Sequence, residues 1–100
     1  EITIGVPQQY TLSQNYPNPF NPSTKIDIEL PSDSRISIKV YDMLGREVKM
    51  LVNNEYLQAG YHTVELNSST MSSGTYFYRM NATDVSGKNM NLVKKMTVVK

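Results

Sequence analysis

His62 is the only histidine in this sequence, and cysteine is absent. Those two facts remove most of the chemistry a small domain can perform. Without Cys there is no disulfide, no thiolate nucleophile and no Cys-based zinc site. With one His there is no second imidazole to complete a metal site, and any Ser-centred triad would have to use His62 as its base. Serines and threonines are plentiful, but none sits in a Gly-x-Ser-x-Gly elbow. The five glycines are scattered, so no phosphate-cradling loop exists. Asn53-Asn54-Glu55 lacks the spaced oxygen ligands of an EF-hand loop. Asp27, Glu29, Glu47 and Glu65 are dispersed on alternating segments, the arrangement of a solvated sheet face rather than of a paired acid and base in a deep cleft. Asn67-Ser68-Ser69 and Asn81-Ala82-Thr83 match the glycosylation sequon, a chance match in a chain rich in Asn and Ser. The residues therefore predict no catalytic site, no metal and no cofactor. Seven tyrosines without Trp leave one binding chemistry open. Tyr41 and Tyr61, on outward-facing positions, would stack on sugar rings, although strand aromatics mostly serve cross-strand packing.

The elements that carry these residues are strands. Ile26, Ile28 and Leu30 alternate with Lys25, Asp27 and Glu29; Ile36, Ile38 and Val40 alternate with Arg35, Ser37 and Lys39. Such a period of two marks strands with one wet and one buried face. Val48, Met50 and Val52 are expected to share the buried face of the next strand, as are Val64 and Leu66 of the one after, with His62 at its start as a half-buried edge residue. Tyr76, Tyr78, Met80 and Ala82 follow on one parity, then Met90, Leu92, Met96 and Val98, interrupted only by Lys94. A weaker strand around Tyr10 to Asn15 brings the total to about seven, with turn signals at intervals of roughly ten residues. No window reads as an amphipathic helix. The fold class is therefore all-β, an immunoglobulin-like β-sandwich of antiparallel strands.

The connections agree. Asp42, Gly45 and Arg46 belong to a turn that opens on Asp and needs positive φ at Gly, and Ser86-Gly87 closes a hairpin. Gly74 precedes a Tyr76 placed to fold its hydroxyl back on nearby backbone, the corner of immunoglobulin-type sandwiches, with Tyr78 in the core two residues later. Tyr16 to Ser23 reads Tyr-Pro-Asn-Pro-Phe-Asn-Pro-Ser; Pro17, Pro19 and Pro22 make it a stiff connector in which Phe20 is expected to cap the core.

One hundred residues bury about two thirds of their unfolded surface, enough for one two-layer core and no second domain. Ten basic against nine acidic side chains give no field to attract nucleic acid or an anionic membrane. No apolar run reaches the roughly eighteen residues of a transmembrane segment, and no signal peptide opens the chain, which starts at Glu1 like a piece excised from something longer. Charge is nonetheless uneven. No acidic residue follows Asp84, whereas Lys88, Lys94, Lys95 and Lys100 do.

Four motifs in order carry a resemblance: Leu12 to Pro22 (Leu-Ser-Gln-Asn-Tyr-Pro-Asn-Pro-Phe-Asn-Pro), Val40 to Val48 (Val-Tyr-Asp-Met-Leu-Gly-Arg-Glu-Val), Gly74 to Arg79 (Gly-Thr-Tyr-Phe-Tyr-Arg) and the ending Lys94 to Lys100 (Lys-Lys-Met-Thr-Val-Val-Lys). Together they resemble the type A C-terminal sorting domains of the type IX secretion system, whose sandwich is similar to the immunoglobulin-like module of flagellar hook-capping proteins. The resemblance implies a non-catalytic signal domain over residues 12–100, preceded at 1–11 by a linker or the end of an upstream region. It implies upstream cargo in the same chain, passage through the periplasm to the cell surface or medium, recognition by outer-membrane secretion machinery, and removal by a surface sorting peptidase in or before Glu1 to Tyr10. Under it, Lys95, Met96, Val98, Val99 and Lys100 are the recognition residues, while Pro17, Asn18, Pro19, Asp42, Gly45, Arg46, Gly74 and Tyr76 act through the fold. The residues agree with a recognition role for the tail: a last strand at a sheet edge, its Lys side chains deterring stray pairing, would leave backbone donors for one partner. Two other readings stay open, a structural scaffold or spacer and a glycan-binding module of a cell-surface protein. The second requires an exposed coplanar pair of Tyr rings.

Overall fold

The computed structural model describes residues 7–100. Residues 1–6, and with them most of the stretch expected to hold the cleavage site, lie outside the described residues. Seven strands form in chain order: β1 Thr11–Leu12, β2 Ser23–Leu30, β3 Ser34–Tyr41, β4 Glu47–Leu57, β5 Gly60–Asn67, β6 Gly74–Asp84 and β7 Asn89–Val98. All ladders are antiparallel, in a three-stranded sheet of order β1-β2-β5 and a four-stranded sheet of order β4-β3-β6-β7. The all-β sandwich expected from the alternation is the fold observed.

Its core is the set of positions that share a parity on the inner strands. Ile26, Ile28 and Leu30 of β2 face Ile36, Ile38 and Val40 of β3 and Tyr78, Met80 and Ala82 of β6, all without solvent exposure. Each large aliphatic side chain so buried contributes about 2 kcal/mol from surface withdrawn from water. Phe20 and Met71, from the connections before β2 and before β6, close the core at one end. His62 is half-buried on the edge strand β5, and its Nε2 donates to the Gln58 carbonyl at 2.8 Å.

β4 departs from the simple alternation. Ile38 pairs with Val52 but its neighbour Lys39 pairs with Met50, so one step along β3 is matched by two along β4, and further shifts separate Ile36 from Ile38 and Val40 from Tyr41. Each bulge reverses the faces of the residues beyond it. Val52 is buried, whereas Met50 lies beside Lys39 on the outer face, 40% exposed, and Val48 is 43% exposed. The expectation that Val48, Met50 and Val52 share the buried face is thus corrected by the bulges. β4 is an edge strand, and irregular edges resist pairing with other chains.

Two hairpin turns are built alike. Asp42-Met43-Leu44-Gly45-Arg46 joins β3 to β4 and Asp84-Val85-Ser86-Gly87-Lys88 joins β6 to β7. In each, the Asp Oδ1 accepts the amides two and four residues on, at 2.9 and 3.0 Å for Asp42 and 3.0 and 2.9 Å for Asp84. In each, the Gly has a positive φ, 84° at Gly45 and 91° at Gly87, that other residues adopt only with strain.

Candidate functional site

The chain pairs place four distant segments at one pole of the sandwich. Tyr41, at the end of β3, lies opposite Phe77; Gly74, at the start of β6, lies opposite Val98; Phe20 bridges Val98; and Ser23, at the start of β2, lies opposite Asn67. The Asp42 turn, the Gly74-Tyr76 corner, the Pro-Asn-Pro-Phe segment and the C-terminal tail therefore meet, although the sequence separates them widely. This pole is the candidate recognition site.

Its centre is a clasp on the outer edge of β7. Phe20 N–H donates to the Thr97 carbonyl and Val99 N–H donates to the Phe20 carbonyl, both at 3.1 Å. The Thr97 amide donates to Asn18 Oδ1 at 3.0 Å, and Gln14 Nε2 donates to the Lys95 carbonyl at 2.6 Å. The sequence placed β7 at a sheet edge, as observed, but with its backbone open to a partner. From Lys95 to Val99 that backbone is instead engaged by residues 14–20. Asn18 does this with its side-chain oxygen, which stands in for a strand carbonyl while Pro17 and Pro19 remove the local amides that would compete for it.

The clasp is fixed to the core. Tyr78 is fully buried, and its hydroxyl accepts the Asn15 amide at 2.8 Å and donates to the Ser13 carbonyl at 2.6 Å. Burial pushes this hydroxyl's pKa up to about 12, against a smaller lowering by the Asn15 amide. Asn15, also buried, donates from Nδ2 to the Pro17 carbonyl and to Thr24 Oγ1, both at 3.1 Å. Among the described residues no buried side-chain nitrogen or oxygen lacks a partner. At the tail, Lys100 Nζ donates to the Ser68 carbonyl at 2.7 Å, and Ser68, itself buried, donates its amide to Pro22 at 2.6 Å.

The expected recognition residues divide into two groups. Met96 and Val98 are buried in the core, whereas Lys95, Val99 and Lys100 are exposed. Tyr16, 81% exposed on the rim of the same pole, was not singled out by its sequence, because outward parity has no meaning in a proline-rich connector. Gln14 and Ser68 were also missed; the partner of Gln14 is 81 residues away and leaves no local signal. The motif residues behave as turn and corner. Tyr76 donates its hydroxyl to the Ser72 carbonyl at 2.8 Å. Arg46 Nε donates to Asp42 Oδ2 at 2.7 Å, and the Arg46 amide, this side-chain bond and the Leu44 amide together hold the Asp42 carboxyl below its ordinary range. Asp42, Arg46 and Tyr76 line one open depression of about 370 Å³ with Val48 and Met71.

Nothing at the pole assembles a reacting pair. Among the described residues no three His, Asp or Glu side chains are grouped to hold a metal ion, and no helix is long and apolar enough to cross a membrane. Tyr41 and Tyr61 lie on the outer faces of different sheets, so they form no coplanar platform.

The profile of a family described as a secretion system C-terminal sorting domain matches residues 14–98, a span that begins at the first residue of the clasp and ends at the last buried residue of β7. No curated protein matches the chain. Among solved structures, the chain is similar to dimeric latent PorU from Porphyromonas gingivalis, with a TM-score of 0.70 and 23% identity over 98% of this chain and 10% of that one. It is also similar to CopC from Methylosinus trichosporium OB3b, with a TM-score of 0.60 and 14% identity over 90% of this chain and 93% of that one. At these identities the two structures speak to the fold alone, and this chain spans about a tenth of the PorU chain.

Proposed function

Because the chain belongs to the secretion system C-terminal sorting domain family, the sorting signals of the type IX pathway, we propose that residues 12–100 are read as a folded unit at the periplasmic side of the outer membrane. Residues 1–11 link this unit to an upstream cargo, which ends on the cell surface or in the medium. The export machinery touches Lys95, Val99 and Lys100, and a surface peptidase then removes the domain. Met96 and Val98 act through the core, and Pro17, Asn18, Pro19, Asp42, Gly45, Arg46, Gly74 and Tyr76 through the clasp, turn and corner. The domain itself performs no catalysis, in keeping with the single half-buried His62 and the absence of Cys.

The convergence of the four motifs on one pole carries this reading, with the exposed part of the tail presented there on a fully satisfied frame. Main-chain pairing gives a partner little purchase between Lys95 and Val99, where the clasp already occupies the edge. Recognition therefore falls to side chains, the ammonium groups and the Val99 methyls.

The test is export of a reporter fused ahead of Glu1 in a host that carries the type IX machinery. Deleting Val98 to Lys100 would remove a core residue together with the exposed ones, so point variants are the cleaner comparison. The intact fusion is expected to reach the surface or medium, and Lys95→Ala with Val99→Ala to remain in the periplasm at an unchanged melting temperature. Equal export of both sinks the assignment of these residues. Retention of both sinks the sorting role.

A further inference from the structure

The two outer faces of the sandwich carry opposite charge. On the three-stranded sheet the outward positions of β2 and β5 hold Asp27, Glu29 and Glu65 against Lys25. On the four-stranded sheet they hold Arg35, Lys39, Arg79 and Lys95 against Glu47. The register sets the second group in rows that cross the sheet: Met50, Lys39, Arg79 and Val93 in one, and Glu47, Tyr41, Phe77 and Lys95 in the next.

Lys39 and Arg79 are directly opposite each other on β3 and β6. Like charges in that relation destabilise a sheet, and nothing in the fold requires them there. Glu47 compensates only one of them, 3.6 Å from Lys39. Arg79 is held by Tyr41 instead, its Nη2 donating to the Tyr41 hydroxyl at 2.9 Å and its guanidinium 5.2 Å from the ring centre. A guanidinium oriented in this way loses less freedom when it meets a carboxylate. Apolar groups close the row at both ends, with Met50 40% and Val93 55% exposed. Arg, Tyr, Phe and Met beside one another are the composition of a protein interface, and the basic row between them complements carboxylates.

We propose that the outer face of the four-stranded sheet, centred on Lys39, Arg79 and Lys95, is a docking surface for a polypeptide segment rich in carboxylates with apolar residues among them. It is separate from the clasp, and Lys95 is the one residue that it shares with the recognition set of the pole. The inference does not rest on the sorting role, since binding is read on the isolated chain and export in cells, so each can fail alone.

The test follows backbone amide resonances of the 100-residue chain during titration with an oligo-glutamate peptide at low salt. Shifts are expected at Ser37 to Tyr41, Phe77 to Asn81 and Val93 to Lys95, and affinity is expected to fall at least about tenfold in Lys39→Gln with Arg79→Gln or at high salt. Lys25→Gln, on the other face, leaves binding unchanged. The double variant loses the Lys39–Glu47 pair and the Arg79 contacts with Tyr41 along with the like-charge pair, all at the surface, so its melting temperature is expected to change little. The proposal is overturned by no shift, by shifts spread over Lys25, Lys88 and Lys100, or by a response to phosphatidylglycerol vesicles but not to the peptide. Concentration-dependent shifts on this face together with the Asp27, Glu29 and Glu65 face, without peptide, would overturn it in favour of a second copy of the chain.

Discussion

Tyr78 joins a strand of one sheet to the segment that leads into the other through a single oxygen, donating to Ser13 and accepting from Asn15. Phenylalanine at this position keeps the ring and strands both backbone groups in the core. Tyr78→Phe is expected to cost about 2 kcal/mol, since an unpaired buried polar group loses its desolvation energy in full. For a domain of this size that lowers the melting temperature by about 10 °C. The hydroxyl also sets an alkaline limit. Its folded pKa, pushed up to about 12 from the ordinary 10.0 of an exposed tyrosine, means that between those values the folded state holds a proton that the unfolded state has released. Stability from this group is therefore present below pH 10 and falls as pH rises toward 12, a slope that denaturation of the wild type shows and Tyr78→Phe lacks. The sign is opposite for Asp42 and Asp84. Both carboxyls are held below their ordinary value, Asp42 chiefly by the Arg46 amide and Asp84 chiefly by the Ser86 hydroxyl. Their contribution is present above the ordinary carboxylate pKa and is lost as acid protonates the folded form. Unfolding curves below about pH 4 should be flatter with pH in Asp42→Asn with Asp84→Asn than in the wild type.

At the scale of elements, the clasp and the bulged strand mark the limit of what could be read from the sequence. The inward residues of β2, β3 and β6 were legible because alternation of buried and outward residues persists through the whole strand. In β4 it fails, since three bulges leave the apolar spacing of Val48, Met50 and Val52 intact while turning two of them outward. The tail was legible as an edge strand from its lysines. Its engagement by Asn18 and Phe20 was not, because an Asn side chain acting as a strand carbonyl looks, in sequence, like any turn Asn. The clasp can be opened by one substitution. In Asn18→Ala the Thr97 amide loses its acceptor and is expected to exchange with solvent on the order of tenfold faster, about the worth of one hydrogen bond. The amides of Tyr78 and Met80, in the centre of β6, should keep their protection. If they lose it too, the clasp is part of the global unfolding unit rather than a local latch.

Over the whole molecule, the strand order makes stability depend on the final element. β7 supplies Met96 and Val98 to the core and receives the clasp, so a chain ending at Lys94 loses two buried side chains, each worth about 2 kcal/mol or more, along with every contact to residues 14–20. Small domains have only about 5–15 kcal/mol in total. Such a truncation should abolish the cooperative thermal transition of the full chain, as measured by near-ultraviolet circular dichroism. Survival of that transition would mean that the sandwich is held without its last strand. The balanced net charge of +1 hides a separation of charge between the two outer faces.

The closure of Phe20 against Thr97 also bears on timing. The two ends of the clasp are separated by nearly the whole chain, so during synthesis the early Pro-Asn-Pro-Phe segment waits for the last strand, and loop closure over such a distance is slow. A nascent chain interrupted before Thr97 has nothing for Phe20 to grip. The pole thus forms only when both segments are present together, and its closure is a late event in folding rather than a local one.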